Sequence, residues 1–345
     1  MFGKAGDIMR VLWVGNPFFY AQLDAQGMQT HFLPLSPTEP VSWQMLTARA
    51  GFTPDVLVLG DMSTPPLLLG VEQFPCLTVF YAVDSHIHSW YPYYAQAFDF
   101  CLHSLRDHRE KFIGMALPDE HVLWFPPYAK TEDRPRPDVV PRWDCLFVGT
   151  VNAATPQRQI FLQALNRLTP VEVTRGSYRE LFPQARVVVN FCEHGDLNFR
   201  VFEALGCGCA LVTPRIAHGQ QELFTEGEHF RVFDAASPQD AAAGITALLA
   251  DDAARRSVAA KGLAAVDAAH RDTHRAAKLA AVLRALDGES REKLVAARLA
   301  KADWIRRMYL RVLLLLWAEQ REETQLRQGW LLAAQGRYGL SGPQG

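Results

Sequence analysis

The segment from Asn198 to Thr213 combines residue types that suit a ligand with a diphosphate and a sugar ring. It reads NFRVFEALGCGCALVT, which predicts a short helix with Asn198 as its N-cap, a glycine turn and a strand. The free N–H groups of a helix N-terminus, with Arg200 beside them, suit diphosphate oxygens. Glu203 follows one turn later and can accept hydrogen bonds from two ribose hydroxyls. The alternative is an ordinary Arg200–Glu203 ion pair on an exposed helix face.

A second group of titratable side chains follows the apolar run CLTVFY. In the next nine residues, AVDSHIHSW, we single out Asp84 and His86. Histidine titrates near neutral pH and a carboxylate also accepts a proton, so either suits a general base acting on a hydroxyl group. The alternative is that Asp84 caps the following helix and that the histidines border aromatic packing around Trp90.

Apolar runs of four to eight residues alternate with helix-length segments, a pattern typical of parallel strands joined by crossover helices. In such α/β sheets ligands bind beyond the carboxyl ends of the strands, where both groups of residues lie. A Pro- and charge-rich passage, PPYAKTEDRPRPDVVP, interrupts the pattern and indicates an interdomain connector. The sequence therefore predicts an N-terminal Rossmann-like domain, a linker, a C-terminal ligand-binding domain and a helical extension, over residues 9–128, 129–143, 144–286 and 287–336 respectively.

The helical extension has an apolar face. Trp304, Met308, Val312 and Leu316 are four residues apart and therefore share one side of a helix. We expect this side to pack on the body of the protein or on a second subunit. No stretch approaches the roughly 20 apolar residues that cross a bilayer.

Composition excludes several classes of function. The 345 residues include 35 Lys and Arg and 37 Asp and Glu, so the net charge of −2 provides no general field for nucleic acid. The six cysteines form no CxxC pair and the histidines show no ligand spacing, so we expect no metal site and no disulfide framework. The amino-terminal segment lacks the long apolar run of a signal peptide, and we expect a cytoplasmic protein.

The stretch NFRVFEALGCGCALVTPRIAHGQQELFTEGEHFRVF resembles the nucleotide-sugar-binding segment of GT-B glycosyltransferases, in particular the family similar to the spore-coat maturation protein CgeB. The resemblance continues in FVGTVNAATPQRQIFLQAL, which starts at Phe147, and in ARRSVAAKGLAAVDAAHRDTHRAAKL, which starts at Ala254. It covers about Arg10 to Leu286 and leaves the final helices outside.

The resemblance implies an α/β fold of two Rossmann-like domains facing a cleft, with the second domain binding the donor nucleotide. It implies that Glu203 holds the ribose and that Arg200 and Arg158 lie at the diphosphate, which the backbone of Gly149 and Thr150 also approaches. It further implies catalysis without a bound metal. Retaining members often carry a second Glu eight residues before the ribose-binding one, where this chain has Gly195. The stereochemical course is therefore left open.

Together these features predict a glycosyltransferase that moves a sugar from a nucleotide-diphosphate-sugar donor to an unidentified acceptor, with no cofactor besides the donor. Asp84 and His86 are the predicted catalytic residues. The donor is the predicted partner, together with a homodimer or another protein bound through the C-terminal helices. Two alternatives are a sugar-nucleotide epimerase of the same fold and a catalytically silent GT-B scaffold that recruits a partner through those helices.

Overall fold

A computed structural model describes residues 8–322 and 324–338 and divides the chain into two compact units. The first unit contains the chain up to Phe125 together with the chain from Ala276 onward, and the second is Pro126–Arg275. The return to the first unit falls inside the helix Asp272–Ala285. The predicted range 144–286 assigns this whole helix to the second domain, whereas its residues from Ala276 onward cluster with the first unit.

The first unit contains a six-stranded, wholly parallel sheet in the order β2-β1-β3-β4-β5-β6. Its central strands are continuous apolar runs because helices and loops cover both faces of a parallel sheet. The edge strand β2 has a mixed polar and apolar sequence and was not predicted. The strands are β1 Arg10–Gly15, β2 Gln29–Leu33, β3 Val56–Gly60, β4 Leu77–Ala82, β5 Phe100–His103 and β6 Val122–Trp124.

The second unit contains a five-stranded parallel sheet in the order β11-β10-β9-β7-β8. Phe147, Val187 and Val212 are fully buried in its core, against the helices that follow the strands. The strands are β7 Trp143–Val148, β8 Glu172–Thr174, β9 Ala185–Val189, β10 Ala210–Pro214 and β11 Arg231–Phe233.

The helices alternate with the strands and then run consecutively to the end of the described chain, as predicted for the C-terminal region. Short 3-10 turns lie at Tyr20–Gln26, Val71–Gln73, Arg106–His108, Asp119–His121 and Phe182–Gln184, and a π-helical turn lies at Arg306–Leu310. The helices are α1 Trp43–Ala50, α2 Tyr91–Ala95, α3 Arg109–Phe112, α4 Pro156–Asn166, α5 Tyr178–Leu181, α6 Phe199–Gly206, α7 Gln220–Leu223, α8 Pro238–Ala250, α9 Asp252–Ala269, α10 Asp272–Ala285, α11 Gly288–Ala300, α12 Ala302–Ile305, α13 Arg311–Glu319 and α14 Gln325–Ala334.

The C-terminal helices are part of the core of the first unit. Leu310, Leu314 and Trp330 are buried in the same apolar cluster as the strands β1, β3 and β4. On α11 the buried guanidinium of Arg298 donates to Asp99 Oδ1 at 2.9 Å and to three backbone carbonyl oxygens, of Val71, Phe74 and Cys76. A buried Arg with all of these acceptors anchors α11 to the segments that lead into β4 and β5, at the amino ends of these strands.

The predicted connector is a folded part of the second unit. Asp133 is fully buried there, and its carboxylate accepts hydrogen bonds from the Tyr178 hydroxyl at 2.9 Å, Arg179 Nε at 2.5 Å and the Lys130 N–H at 2.7 Å. The Arg271 guanidinium donates to the Asp133 carbonyl oxygen at 2.7 Å. A carboxylate buried with so many donors holds this Pro-rich passage in place, although its composition is typical of a linker.

Of the predicted apolar face of the extension, only Trp304 packs on the protein body in this chain, and the alternative of packing on a second subunit stays a prediction. Trp304 is partly buried against the core, but Met308, Val312 and Leu316 are 62%, 65% and 51% exposed. The side that packs inward contains Ile305 and residues of α13 instead. Among the helices of residues 8–322 and 324–338, none has the length and apolar character needed to cross a bilayer.

Candidate functional site

The residues predicted to bind a diphosphate come together at the carboxyl ends of β7 and β9 in the second unit. The chain passes from β7 to its neighbour β8 on one side and then crosses over to β9 on the other side of β7, so the strand order reverses between β7 and β9. A reversal of this kind leaves a crevice beyond the strand ends, where open α/β sheets bind their ligands. Gly149 follows β7, Asn190 follows β9, and α6 begins shortly afterwards.

Arg200, in the first turn of α6, joins the two strand ends. Its Nε donates to the Val148 carbonyl oxygen at 2.8 Å and its Nη1 donates to Asn190 Oδ1 at 2.7 Å, while its guanidinium carbon lies 4.8 Å from the centre of the Phe147 ring. Burial lowers the pKa of this guanidinium from its ordinary value. Arg200 forms no ion pair with Glu203 within the described residues, so the alternative of an exposed pair does not hold. Its Nη2 makes no hydrogen bond to a described residue and is the part left for an anion.

Asn198 is the N-cap residue of α6, as predicted, but its side chain does not cap the helix within the described structure. Its Nδ2 instead donates to Cys192 Sγ at 3.1 Å and to Asn190 Oδ1 at 3.4 Å. Its Oδ1 is buried and has no hydrogen-bond partner among the described residues. The first-turn N–H groups of α6 are therefore not occupied by the residue that usually caps a helix, which suits an anionic ligand.

The loop after β7 brings the other predicted residues beside Arg200. A Cβ on Gly149 would lie 2.7 Å from Arg200 Nη2, so only a glycine fits here without displacing the guanidinium. Arg158 Nη1 donates to the Thr150 carbonyl oxygen at 2.8 Å, and its guanidinium carbon lies 5.8 Å from the Phe147 ring centre. The two guanidinium groups therefore share one aromatic ring. Arg158 Nε is buried without a hydrogen-bond partner among the described residues.

The N-terminus of α4, beside this loop, is already occupied by a side chain of the protein. Glu193 accepts hydrogen bonds from the N–H groups of Gln157 at 3.0 Å and Arg158 at 2.9 Å. A carboxylate in this position satisfies the first-turn donors that a phosphate would otherwise use. Glu193 is therefore the capping group of α4, whereas no side chain of the described residues caps α6.

Glu203 lies one helical turn after Arg200. Its carboxylate makes no hydrogen bond and no ion pair with any residue in the described ranges. Burial is the main cause that raises its pKa to about 7, and the charge of Asp133 raises it further, whereas Arg200 and Arg179 lower it. A half-buried carboxyl group with unused acceptor capacity is suited to accept hydrogen bonds from ligand hydroxyls.

In the first unit, Asp61 organises the carboxyl ends of β3 and β4. It is 4% exposed and accepts hydrogen bonds from the N–H groups of Ser63 at 2.8 Å, Val83 at 2.8 Å and Asp84 at 2.7 Å, and from the Tyr91 hydroxyl. Burial raises the pKa of this carboxyl group. Asp61 directly follows β3, and its role as hydrogen-bond acceptor for three segments was not predicted from the sequence.

The predicted catalytic residues Asp84 and His86 lie in the loop that Asp61 holds. Both are half-buried, and the Asp84 carbonyl oxygen accepts the N–H groups of Ile87 and His88. Asp84 does not cap α2, whose N-cap is Trp90. In the same loop His88 Nε2 and Ser63 Oγ share a hydrogen bond at 2.8 Å. This pair was missed because its members are 25 residues apart in the sequence.

The chain can be compared with known proteins once this geometry is established. Residues 145–281 match the family model described as glycosyl transferase-like, so the match includes both strand ends and all of α6. No curated protein matches the chain in sequence. Among the described residues, no group of three or more His, Cys, Asp or Glu side chains is arranged to hold a metal ion.

Solved structures similar to the chain are glycosyltransferase folds. Anabaena HepE, in a complex with UDP and glucose, has 12% identity and a TM-score of 0.58, with 81% of this chain and 100% of that chain covered. A glycosyltransferase from Rickettsia africae has 6% identity and a TM-score of 0.57, covering 80% and 98%. Sucrose-phosphate synthase from Thermosynechococcus elongatus has 12% identity and a TM-score of 0.56, covering 81% and 99%. At these identities the likeness concerns the fold, and it confirms the predicted GT-B fold class with C-terminal helices. The CgeB-like assignment stays a prediction.

Proposed function

We propose that this protein is a glycosyltransferase that uses a nucleoside-diphosphate sugar as donor and a hydroxyl group as acceptor, without a catalytic metal ion. The more specific CgeB-like relationship is part of the same proposal. The fold, the glycosyl transferase-like match over residues 145–281 and the UDP named in the HepE structure support it. UDP is accordingly the first donor nucleotide to test.

One observation carries the proposal. At the carboxyl ends of β7 and β9, Arg200 presents a free Nη2 beside Gly149, α6 presents an uncapped N-terminus, and Glu203 follows one turn later with an unused carboxylate. These three features suit the two chemically different parts of a nucleoside diphosphate, the diphosphate and the ribose. The guanidinium and the N–H groups suit the two phosphates, and the carboxylate suits the ribose hydroxyls.

The same groups would assist the reaction. In the transfer, a bond forms between the acceptor oxygen and the anomeric carbon while the bond from that carbon to the diphosphate breaks. Negative charge develops on the departing diphosphate, where Arg200 and Arg158 stabilise it without a metal ion. In an inverting transfer the acceptor proton passes to a base, and we propose Asp84 or His86 for this role. Their replacement by Asn and Ala should lower turnover and leave nucleotide affinity nearly unchanged.

A thermal-shift series with UDP, GDP, TDP and CDP tests the proposal. We expect one nucleotide to stabilise the protein, by about 2.7 kcal/mol at a concentration 100 times its Kd. Arg200→Met should abolish the shift. The matched control is Arg256→Met, because Arg256 is 71% exposed on α9 and lines a pocket with Ala185 and Ala210, at the amino ends of β9 and β10 rather than at their carboxyl ends. Added EDTA should leave the thermal shift produced by the nucleotide unchanged. A folded protein that responds to none of the four nucleotides would refute the assignment.

A further inference from the structure

The helical segment from Ala302 to Glu319 has two apolar sides, and the residues that the structure describes cover only one of them. Ile305, Leu310 and Leu314 are at most 4% exposed and pack in the core of the first unit. Met308, Val312 and Leu316 lie on the other side at 62%, 65% and 51% exposure, and we call these three residues the outer stripe.

The π-helical turn Arg306–Leu310 explains how both sides arise. Buried positions are five residues apart across this turn, from Ile305 to Leu310, and then four residues apart, to Leu314. The extra residue keeps the buried side in register with the core. Outer-stripe residues are four apart throughout and so form one row about 12 Å long.

A helix that is apolar all round is normally buried on every side. The run from Val312 to Trp317 is wholly apolar, yet two of its members are more than half exposed. Single exposed apolar residues, such as Ile160 at 67%, are ordinary on protein surfaces. Three in one row on a rigid helix are more typical of a contact surface.

We propose that the outer stripe is a homodimer interface, in which two copies of the helix pack antiparallel about a two-fold axis at Val312. This arrangement places Met308 of each copy against Leu316 of the other and Val312 against its own equivalent. Such isologous contacts are the usual way in which identical subunits associate.

Charges beside the outer stripe favour the antiparallel direction and a second copy as the occupant. The segment from Lys301 to Arg311 is net positive, whereas Glu319 to Glu322 is net negative. Lys301, Arg311 and Glu319 are exposed and form no ion pair within the described residues. Antiparallel packing brings the positive half of each helix toward the negative end of its partner, and it also opposes the helix dipoles favourably. A bilayer surface would offer no partner for Glu319 and Glu322.

Sedimentation velocity on the full chain, from micromolar to submillimolar concentration, tests the interface. We expect the mean mass to rise from 38.7 kDa toward twice that value. Val312→Glu places two like charges at the axis and should raise the dimer Kd at least about tenfold. Ile160→Glu is the matched control, at nearly the same exposure in the second unit, and should not change the Kd. Circular dichroism verifies that both variants fold.

Disulfide trapping tests the direction of packing. Val312→Cys should form a crosslinked dimer on mild oxidation, and a mixture of Met308→Cys and Leu316→Cys should crosslink, whereas Met308→Cys alone should not. The six native cysteines are buried and leave the test readable. A protein that stays monomeric at all concentrations overturns the proposal. Crosslinking of Met308→Cys alone, or a monomer that sediments with phosphatidylcholine–phosphatidylglycerol vesicles, would also overturn it.

Discussion

Replacing Glu203 by Gln should make the ligand-free protein more stable and should weaken its binding of the nucleotide. Burial raises the pKa of Glu203 from its ordinary 4.5 to about 7. The folded protein has the higher pKa, so the protonated Glu203 carboxyl group contributes its full stability below pH 4.5. This contribution is lost as the pH rises through about 7. At 1.36 kcal/mol per pKa unit, the ionised carboxylate costs on the order of 3 kcal/mol of folding free energy. Gln has a similar shape and carries no charge, so it avoids this cost.

Nucleotide binding should show the opposite dependence on pH. The ionised carboxylate accepts two hydroxyl hydrogen bonds, so wild-type affinity for UDP should fall about tenfold as the pH is lowered through 7 toward 6. Glu203→Gln should bind UDP roughly 10- to 100-fold more weakly at pH 8, with little pH dependence.

Two measurements at pH 5, 6, 7 and 8 check this reasoning: urea denaturation without ligand and calorimetric titration with UDP. Glu172→Gln, at an exposed position on β8, is the control and should change neither quantity. If Glu203→Gln bound UDP as tightly as the wild type at pH 8, the carboxylate would not be a ribose ligand. If it showed no gain in stability at pH 8, the burial argument would be wrong.

Three further predictions concern other parts of the molecule. Arg298→Met leaves the buried Asp99 carboxylate and three carbonyl groups without this donor and should lower the free energy of unfolding by about 3–5 kcal/mol in urea denaturation. The control Lys293→Met, at a 73% exposed position on the same helix, should lower it by under ~0.5 kcal/mol. Equal losses in the two variants would contradict the anchoring role of Arg298. Burial raises the pKa of Glu72 above its ordinary value of 4.5, so the stability contributed by the protonated carboxyl group is lost as the pH rises above that value. Glu72→Gln should therefore raise the Tm at pH 8 but not at pH 4. A lower Tm of this variant at pH 8 would count against the argument. Gly149→Ala pushes a methyl group toward Arg200 and should weaken UDP binding about tenfold in calorimetry with an almost unchanged Tm; an unchanged Kd would exclude this position from the nucleotide site.

Ten of the eleven strands in residues 8–322 and 324–338 were predictable, because the strands of a buried parallel sheet are short apolar runs whose period is visible locally. The exception, β2, is an edge strand in which every residue is exposed or only half-buried, so polar residues interrupt its pattern. The same local signal identified α6 and the strand ends around it. It also showed that helices alone occupy the C-terminal region, but it did not show which side of the segment from Ala302 to Glu319 packs in the core of the first unit.

The passage after Phe125 shows where composition misleads. Its prolines and charges are typical of a connector, but Asp133 is buried beneath three donors that come from its own turn and from α5. Residues 45 and 46 positions apart supply two of these donors. No local pattern carries that information.

By itself, the sequence determined the fold class, the strand ends at which we propose a ligand site and the residue types present there, because these depend on periodicity and on short-range spacing. Only the tertiary structure decided what each side chain has left to offer a ligand. Arg200 donates two hydrogen bonds to residues at the ends of β7 and β9, and Glu193 caps α4. Glu203 keeps a carboxyl group with a raised pKa and no hydrogen-bond partner among the described residues. The reason is physical: hydrogen-bond partners and desolvation depend on neighbours that are distant in the chain and adjacent only after folding.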